Sequence, residues 1–195
     1  MIAIVDYDAG NIKSVTNALT RLGAEYKLTA DPSELIAASK VILPGVGNAA
    51  AAMASLKEKG LEKVIRGLRR PVLGICVGMQ LMCRRSEEGP VDCLDIFDCD
   101  VRRFKEEPEL KIPHMGWNAI ANLDSKLFRG MESGTHVYFV HSYRPDLCPD
   151  TIATCRHGSQ LFSAALKYEN FYGTQFHPEK SGSAGELILK NFIAL

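Results

Sequence analysis

The sequence predicts an α/β fold of three layers, with a mostly parallel central sheet and antiparallel additions. In the first half of the chain, short apolar runs alternate with segments of helical periodicity, the order typical of parallel strands joined by right-handed crossovers. In the second half, strand-like runs follow one another across short turns, which favours antiparallel pairing. The chain has 195 residues and no linker, repeat or low-complexity stretch, so we expect one domain over residues 1–195.

The first half is predicted from apolar runs and from start and stop signals. Ile12, Val15 and Leu19 fall on one helical face, and Gly23 follows as a stop signal. Asp31-Pro32 supplies a cap and a first turn for a short helix. The predicted strands are Met1–Val5, Glu25–Thr29, Lys40–Leu43 and Pro71–Ile75, and the other helical segments are Asn11–Leu22, Ala49–Leu68 and Gly78–Arg84.

The second half contains six predicted strands and ends on a helix at Ala184–Ala194. In α/β sheets of this kind, functional sites form at the carboxyl ends of the parallel strands. The predicted strands are Val101–Phe104, Ala119–Asn122, His136–Val140, Ile152–Arg156, Phe162–Lys167 and Phe171–Gln175.

Composition excludes several classes of protein. The formal net charge is zero, whereas a nucleic-acid-binding protein usually carries a basic excess. No apolar run reaches the roughly 18 residues that span a bilayer, and the N-terminus lacks the pattern of a signal peptide, so we expect a cytoplasmic protein. Six cysteines without a C-x-x-C pair indicate free thiols rather than disulfides or structural zinc. We expect no metal and no cofactor.

A candidate nucleophile lies in Gly74-Ile75-Cys76-Val77-Gly78, between a buried strand and a helix. This pattern is the thiol counterpart of the nucleophile elbow, in which glycines allow a strained, exposed nucleophile. The start of the helix favours the thiolate of Cys76 and leaves the Val77 amide free to stabilise an oxyanion. The alternative interpretation is a buried cysteine in a glycine-lined turn.

A candidate base and its orienting acid lie in His177-Pro178-Glu179, directly after an apolar strand. A thiol nucleophile requires a base, and that base requires an orienting group. His177 and Glu179, two residues apart, can lie on the same side of an extended segment that Pro178 stiffens. Taken alone, the tripeptide could equally be a surface loop, but it complements the cysteine elbow.

A third glycine-rich segment, Pro44-Gly45-Val46-Gly47, follows a strand near the same sheet edge. Its glycines permit backbone conformations that aim an N–H of Gly45 or Val46 at a reacting carbonyl. A plain strand-to-helix turn is the other interpretation.

Together, P-G-V-G, G-I-C-V-G-M-Q and F-H-P-E resemble the class I, or triad, glutamine amidotransferases over nearly the whole chain. Within that superfamily, Pro113–Asn118 (P-H-M-G-W-N), Tyr138–Tyr143 (Y-F-V-H-S-Y) and Phe176–Ser181 are similar to the glutaminase subunits of imidazole glycerol phosphate synthase. The resemblance implies a flavodoxin-like fold and hydrolysis of glutamine through a thioester on Cys76. It implies that glutamine is bound by Gly47, Gln80, Glu88, Ser142 and Tyr143.

The resemblance also implies a partner, a (β/α)8-barrel cyclase subunit that receives the ammonia in a 1:1 heterodimer, with no role for nucleic acid or membrane. Because ammonia must leave from Cys76, the partner should cover the mouth of the site. Trp117, Tyr138 and Lys180 are candidates for this docking face, since tryptophan and tyrosine are common interface anchors. The alternative is that these are core aromatics and a solvated lysine.

Two other functions remain open at this point. The chain could serve another synthase, for anthranilate, guanylate or pyridoxal phosphate, although P-H-M-G-W-N argues against this. It could also be a thiol-based redox sensor or chaperone on the same scaffold, although such a protein does not require H-P-E.

Overall fold

The structure is a computed structural model that describes residues 1–8 and 10–195. Its strands are β1 (Ile2–Val5), β2 (Tyr26–Thr29), β3 (Lys40–Leu43), β4 (Val72–Ile75), β5 (Arg85–Ser86), β6 (Val91–Asp92), β7 (Asp100–Arg103), β8 (His114–Ala121), β9 (His136–His141), β10 (Tyr143–Pro145), β11 (Thr151–His157), β12 (Gln160–Tyr168) and β13 (Phe171–Thr174). Its α-helices are α1 (Ile12–Arg21), α2 (Pro32–Ala37), α3 (Ala49–Glu58), α4 (Leu61–Gly67), α5 (Val77–Gln80) and α6 (Gly182–Ala194).

The central sheet has nine strands in the order β2-β1-β3-β4-β13-β12-β11-β8-β9. The first five strands in this order, β2, β1, β3, β4 and β13, pair in parallel. The remaining four, β12, β11, β8 and β9, continue the sheet with antiparallel pairing. The predicted fold class is therefore confirmed. Strand β13 comes late in the chain but pairs with β4, with Thr174 opposite Ile75. This pairing brings the ends of two distant segments side by side, and they lead into Cys76 and His177.

Helices cover both faces of the sheet. The chain moves from β1 to β2 in one direction and from β2 to β3 and β4 in the other, so right-handed crossovers place α1 opposite α2, α3 and α4. Helix α6 joins the α1 side, where Arg21 Nε lies 3.4 Å from Glu186 Oε1. The result is the predicted arrangement of helix, sheet and helix layers.

Local signals set the ends of several helices where the sequence predicts them. After α1, the amide of Gly23 bonds to Thr20 O and that of Ala24 bonds to Leu19 O, which closes the helix as a Schellman motif. Asp31 caps α2 by accepting from the Ser33 amide at 2.7 Å. The helical region predicted at 49–68 is interrupted at Gly60, whose φ of 66° ends α3 and starts α4.

Two predicted elements differ from the structure because of contacts between distant segments. The helix expected at Gly78–Arg84 ends at Gln80, since the amides of residues 94–97 take the carbonyls of residues 81–83. Strand β8, expected at Ala119–Asn122, starts at His114 because it pairs with β9 along its length. P-H-M-G-W-N, which lies outside the strands predicted from the sequence, is thus mostly strand. The short strands β5, β6 and β10 were not predicted, and together with β7 they form a second sheet of four strands in the order β10-β7-β5-β6.

Two further findings concern the described residues. Within 1–8 and 10–195, no helix has the length and apolar character required to cross a bilayer. All six cysteines carry free thiols, and five of them are buried.

Candidate active site

Cys76 lies at the turn from β4 into α5, with the backbone strain expected of a nucleophile elbow. Its φ and ψ are 53° and −112°, a conformation that L-residues rarely adopt. The flanking glycines are required by close packing: a Cβ on Gly74 would lie 2.4 Å from Met82 Cε, and one on Gly78 would lie 1.9 Å from the Leu43 carbonyl oxygen. The Val77 amide is the first of α5, so it has no acceptor within the helix.

His177 and Glu179 form a hydrogen-bonded pair behind the elbow. His177 Nδ1 lies 2.7 Å from Glu179 Oε1, and both side chains are fully buried. Among the described residues, His177 Nε2 has no hydrogen-bond partner. Burial alone would lower the pKa of His177, but the Cys76 sulfur and the Glu179 carboxylate outweigh it and raise this pKa to about 10. These two groups therefore favour the charged imidazolium, the form that can donate a proton.

A cavity of about 170 Å³ opens beside Cys76. It brings together, at one place in the fold, the predicted nucleophile, oxyanion and substrate residues, which the sequence separates by nearly 100 positions. Gly45 and the predicted triad members His177 and Glu179 do not line it. The lining residues are Val46, Gly47, Cys76, Val77, Gln80, Glu88, Val140, His141, Ser142 and Tyr143.

The P-G-V-G segment passes along this cavity at the end of β3. Gly45 is packed tightly, since a Cβ there would lie 2.5 Å from the Gly78 amide nitrogen. Gly47 has a φ of 91° and open space around it. The buried Tyr7 hydroxyl donates to the Pro44 carbonyl and fixes the start of the segment. The segment is thus anchored at Pro44 and Gly45 and freer at Gly47.

Two of the predicted glutamine-binding side chains already have partners. The amide nitrogen of Gln80 donates both to Tyr143 O at 2.9 Å and to Gln175 Oε1 at 2.8 Å, so only its own oxygen is left for a ligand. Glu88 Oε2 accepts from the Ala49 amide at 2.9 Å. Burial raises the pKa of Glu88, a penalty that a substrate ammonium group would offset.

The three candidates for the docking face lie close to the triad loop. Trp117 is 56 % exposed, which rules out a core position, and Tyr138 is half-buried. They are cross-strand partners whose ring centroids lie 6.2 Å apart. Lys180 is exposed. Gly182, two residues further on, lies close to Trp117, since a Cβ added there would be 3.7 Å from the Trp117 ring.

Sequence reasoning missed three side chains of the site. Asn11 donates to Glu179 Oε1 at 2.6 Å across 168 residues of chain. Gln175 Nε2 lies 3.6 Å from Cys76 Sγ. Tyr7 supports the P-G-V-G segment. Of the three, only Gln175 carried a signal, because it precedes F-H-P-E at the end of a predicted strand.

The chain matches known proteins over its full length. The family model described as "Glutamine amidotransferase class-I" matches residues 3–195. Proteins named "Imidazole glycerol phosphate synthase subunit HisH" are 56 % identical over 195 residues in Bacteroides thetaiotaomicron and 57 % in Bacteroides fragilis, covering 100 % of this chain and 99 % of each relative. The protein of that name from Escherichia coli K12 is 47 % identical over 196 residues, with the same coverage.

Solved structures agree on the fold. A "putative gmp synthase subunit a protein" from Thermoplasma acidophilum has a TM-score of 0.71 at 24 % identity, covering 99 % of this chain and 92 % of that one. A structure titled "glutamine amidotransferase" has a TM-score of 0.72 at 20 % identity, covering 100 % and 98 %. The family model, the relatives that match over the full length and the Cys76 elbow all agree. The chain belongs to the class-I glutamine amidotransferase family.

Proposed function

We propose that this chain is the glutaminase subunit of an imidazole glycerol phosphate synthase, acting in histidine biosynthesis. The observation that carries the proposal is Cys76, strained in the wall of the cavity, together with the buried His177–Glu179 pair. The relatives at 47–57 % identity carry the name of that subunit. The whole chain, residues 1–195, serves as one glutaminase domain.

The reaction proceeds through a covalent thioester. The Cys76 thiolate attacks the side-chain amide carbon of glutamine and forms a C–S bond. The imidazolium of His177 gives its Nε2 proton to the amide nitrogen, the C–N bond breaks and ammonia leaves. Water then attacks the thioester, neutral His177 takes a proton from it, and glutamate departs as the C–S bond breaks. Glu179 orients the imidazole and stabilises its charged form throughout.

The negative charge of each tetrahedral intermediate falls on the former amide oxygen. The Val77 amide and an amide of the Gly45–Gly47 segment stabilise this oxyanion. Since Gly47 is unconstrained by packing, the peptide planes next to it can reorient at low cost. We expect the partner to select the active orientation, which requires about 5.5 kcal/mol of differential binding to convert a population that is 1 % active into one that is 99 % active.

The partner is a (β/α)8-barrel cyclase that binds 1:1 over the mouth of the site. At neutral pH, most of the ammonia released into bulk water becomes ammonium, which is not a nucleophile, so direct transfer into the partner avoids this loss. The exposed Trp117 with Tyr138 and Lys180 beside the triad loop supports docking at this face.

The enzymatic assignment is tested by glutamate formation from glutamine with and without the candidate cyclase. Cys76→Ala should remove glutamine-dependent synthesis by several orders of magnitude but leave ammonia-dependent synthesis intact. Cys155→Ala, which alters another buried thiol, should behave as wild type. Glutaminase activity in Cys76→Ala, or equal activity of the free chain and the complex, would refute the mechanism or the switch, respectively.

The docking face is tested by binding and by stoichiometry. Trp117→Ala should weaken the complex by about 2 kcal/mol, and Tyr138→Ala should raise the ratio of glutamate formed to cyclised product above one. Tyr168→Ala is the matched control. It removes a similarly exposed aromatic at the turn between β12 and β13, at the end of β13 away from His177. Unchanged affinity in Trp117→Ala would place the interface elsewhere.

The redox or chaperone alternative is disfavoured by the family match and by the His177–Glu179 bond, which such a function does not use. The other synthases are disfavoured by the names of the long relatives, while the resemblance to the GMP synthase subunit at 24 % identity concerns the fold alone. Co-purification with a different synthase would favour one of them.

A further inference from the structure

A buried chain of hydrogen bonds runs from strand β8 to the sulfur of Cys76. Its links beyond the cavity are Asn118 Nδ2 to His114 Nε2 at 3.1 Å, His114 Nδ1 to His141 Nε2 at 3.0 Å, and His141 Nδ1 to Tyr143 O at 2.7 Å. Its links at the cavity are Gln80 Nε2 to Tyr143 O, Gln80 Nε2 to Gln175 Oε1, and Gln175 Nε2 to Cys76 Sγ. The histidines and glutamines are all buried.

In the links from Asn118 to Tyr143, the outer half of the network, the bonding atoms determine which group donates and which accepts. The carbonyl of Tyr143 only accepts, so His141 carries its proton on Nδ1. Burial lowers the pKa of His141 well below its usual range, so the ring is neutral and its Nε2 accepts. His114 therefore donates from Nδ1, and its own Nε2 accepts from Asn118. The side-chain amide of Asn118 cannot be reversed, because Oδ1 accepts from the Ala119 amide at 2.8 Å and Nδ2 also donates to Arg156 O at 2.9 Å.

The inner half is fixed in the same way. With His141 and Gln80 both donating to it, the Tyr143 carbonyl has its two lone pairs occupied. Gln80 donates its second N–H to Gln175 Oε1, which orients the amide of Gln175 so that Nε2 points to Cys76 Sγ. A thiolate only accepts, so the direction of this last link suits the nucleophilic form of Cys76.

We propose that this hydrogen-bond network positions the nucleophile. Gln175 holds the Cys76 thiolate. Gln80, His141 and His114 in turn hold Gln175 and the Ser142–Tyr143 wall of the cavity. The proposal rests on the glutaminase function above and deepens it. It gives Gln80 a positioning role in place of a purely substrate-binding one. His114 and His141 act as neutral Nδ1–H tautomers and take no part in proton transfer.

The hydrogen-bond network also implies that P-H-M-G-W-N has two roles, one on each face of strand β8. Side chains alternate along a strand, so His114 and Asn118 share the face that enters the network, while Met115 and Trp117 share the other. Met115 and Trp117 are 62 % and 56 % exposed. Docking on the outer face therefore bears on the same strand that anchors the hydrogen-bond chain.

The first experiment compares two substitutions of His141 in the assembled complex with the cyclase. His141→Asn keeps a donor at the position of Nδ1 for Tyr143 O, whereas His141→Gln keeps only an acceptor at the position of Nε2 for His114. We expect His141→Asn to retain kcat within about 5-fold of wild type and His141→Gln to lose about 10². Equal losses in the two variants would overturn the directional chain.

The second experiment examines the thiolate itself. Gln175→Leu should slow both glutamine hydrolysis and the alkylation of Cys76 by iodoacetamide, followed on the Cys76 peptide by mass spectrometry, by 10-fold to about 10², as expected for loss of a hydrogen bond to a charged group. Thr174→Val is the control, since Thr174, the last residue of β13, directly precedes Gln175 and its buried hydroxyl has no hydrogen-bond partner among the described residues. Normal alkylation in Gln175→Leu, or slowing only in proportion to lost stability, would show that the network is merely structural.

These outcomes are separable from failure of the proposed function. If wild-type complex shows no glutaminase activity that depends on Cys76, the function is wrong. If it does show that activity and Gln175→Leu alkylates and turns over as wild type, the function stands and the positioning role is refuted.

Discussion

Gly78→Ala is the substitution that tests most directly how the elbow is built. Gly78 is the second residue of α5, and the Cβ added by alanine would lie 1.9 Å from the carbonyl oxygen of Leu43 and 2.9 Å from its carbon. Both groups are backbone, so no rotamer change relieves the clash. Either α5 or the end of β3 must move away, and the end of β3 leads into the P-G-V-G segment.

The magnitude follows from the distance. Non-bonded carbon and oxygen atoms rarely approach closer than about 3 Å, so the two segments must separate by roughly 1 Å. Overpacking of this kind costs about 1–3 kcal/mol. For a chain of this size each 1 kcal/mol lowers Tm by about 2–4 °C, which predicts a decrease of roughly 2–12 °C. A displacement of about 1 Å between nucleophile and oxyanion donors should also lower kcat by about 10².

The assay is thermal unfolding of the free chain together with glutamine turnover by the complex. Gly67→Ala is the matched control, because a Cβ at Gly67, the last residue of α4, meets nothing within 4 Å and its φ is ordinary. That variant should equal wild type in turnover and equal or exceed it in Tm. If Gly78→Ala unfolds and turns over like Gly67→Ala, the close approach of α5 to β3 does not shape the elbow.

Three further predictions concern titration and the triad acid. Asn11→Gly, which keeps the left-handed backbone at φ 65° but removes the donor to Glu179, should lower kcat about 10-fold, whereas unchanged kinetics would deny Asn11 a positioning role. Because Cys76 helps to raise the pKa of His177 to about 10, Cys76→Ala should lower that pKa in NMR titrations of the imidazole signals, and an identical titration would refute this contribution of Cys76. Burial lowers the pKa of His114 to about 4, so the unfolded chain protonates this side chain below about pH 6.5 while the native chain keeps it neutral. The free energy of unfolding should therefore fall as pH drops from about 6.5 toward 4. The variant His114→Gln should show a shallower decrease in urea titrations, and an equal slope would contradict this origin.

Much of the fold was predictable because its signals are local. Gly23 ends α1 and Asp31 starts α2 through hydrogen bonds that span only a few residues. The alternation of apolar runs and helical periodicity was enough to indicate parallel pairing. Where prediction failed, the cause was long-range. The carbonyls of residues 81–83 bond to amides of residues 94–97, and nothing within Gly78–Arg84 shows that competition.

The site was predictable to the extent that its chemistry is complementary. A cysteine elbow and an H-P-E segment each lack what the other supplies, so the separation of 101 positions from Cys76 to His177 did not hide the pairing. Supporting contacts are different, because an asparagine or glutamine has many possible partners. The Asn11–Glu179 bond joins residues 168 apart, and only the meeting of α1 with the triad loop creates it.

The β8 strand shows why such support is hidden even inside a recognised motif. In P-H-M-G-W-N the tryptophan attracts attention as an interface anchor, and a loop would leave the orientation of each residue free. Once Trp117 pairs with Tyr138 in a strand, the pleat forces His114 and Asn118 onto the opposite face. A shift of one residue in this register would send the docking side chains inward and the network side chains into solvent. The order of polar and apolar residues in the motif therefore encodes two surfaces at once, and the pairing with β9 is what separates them.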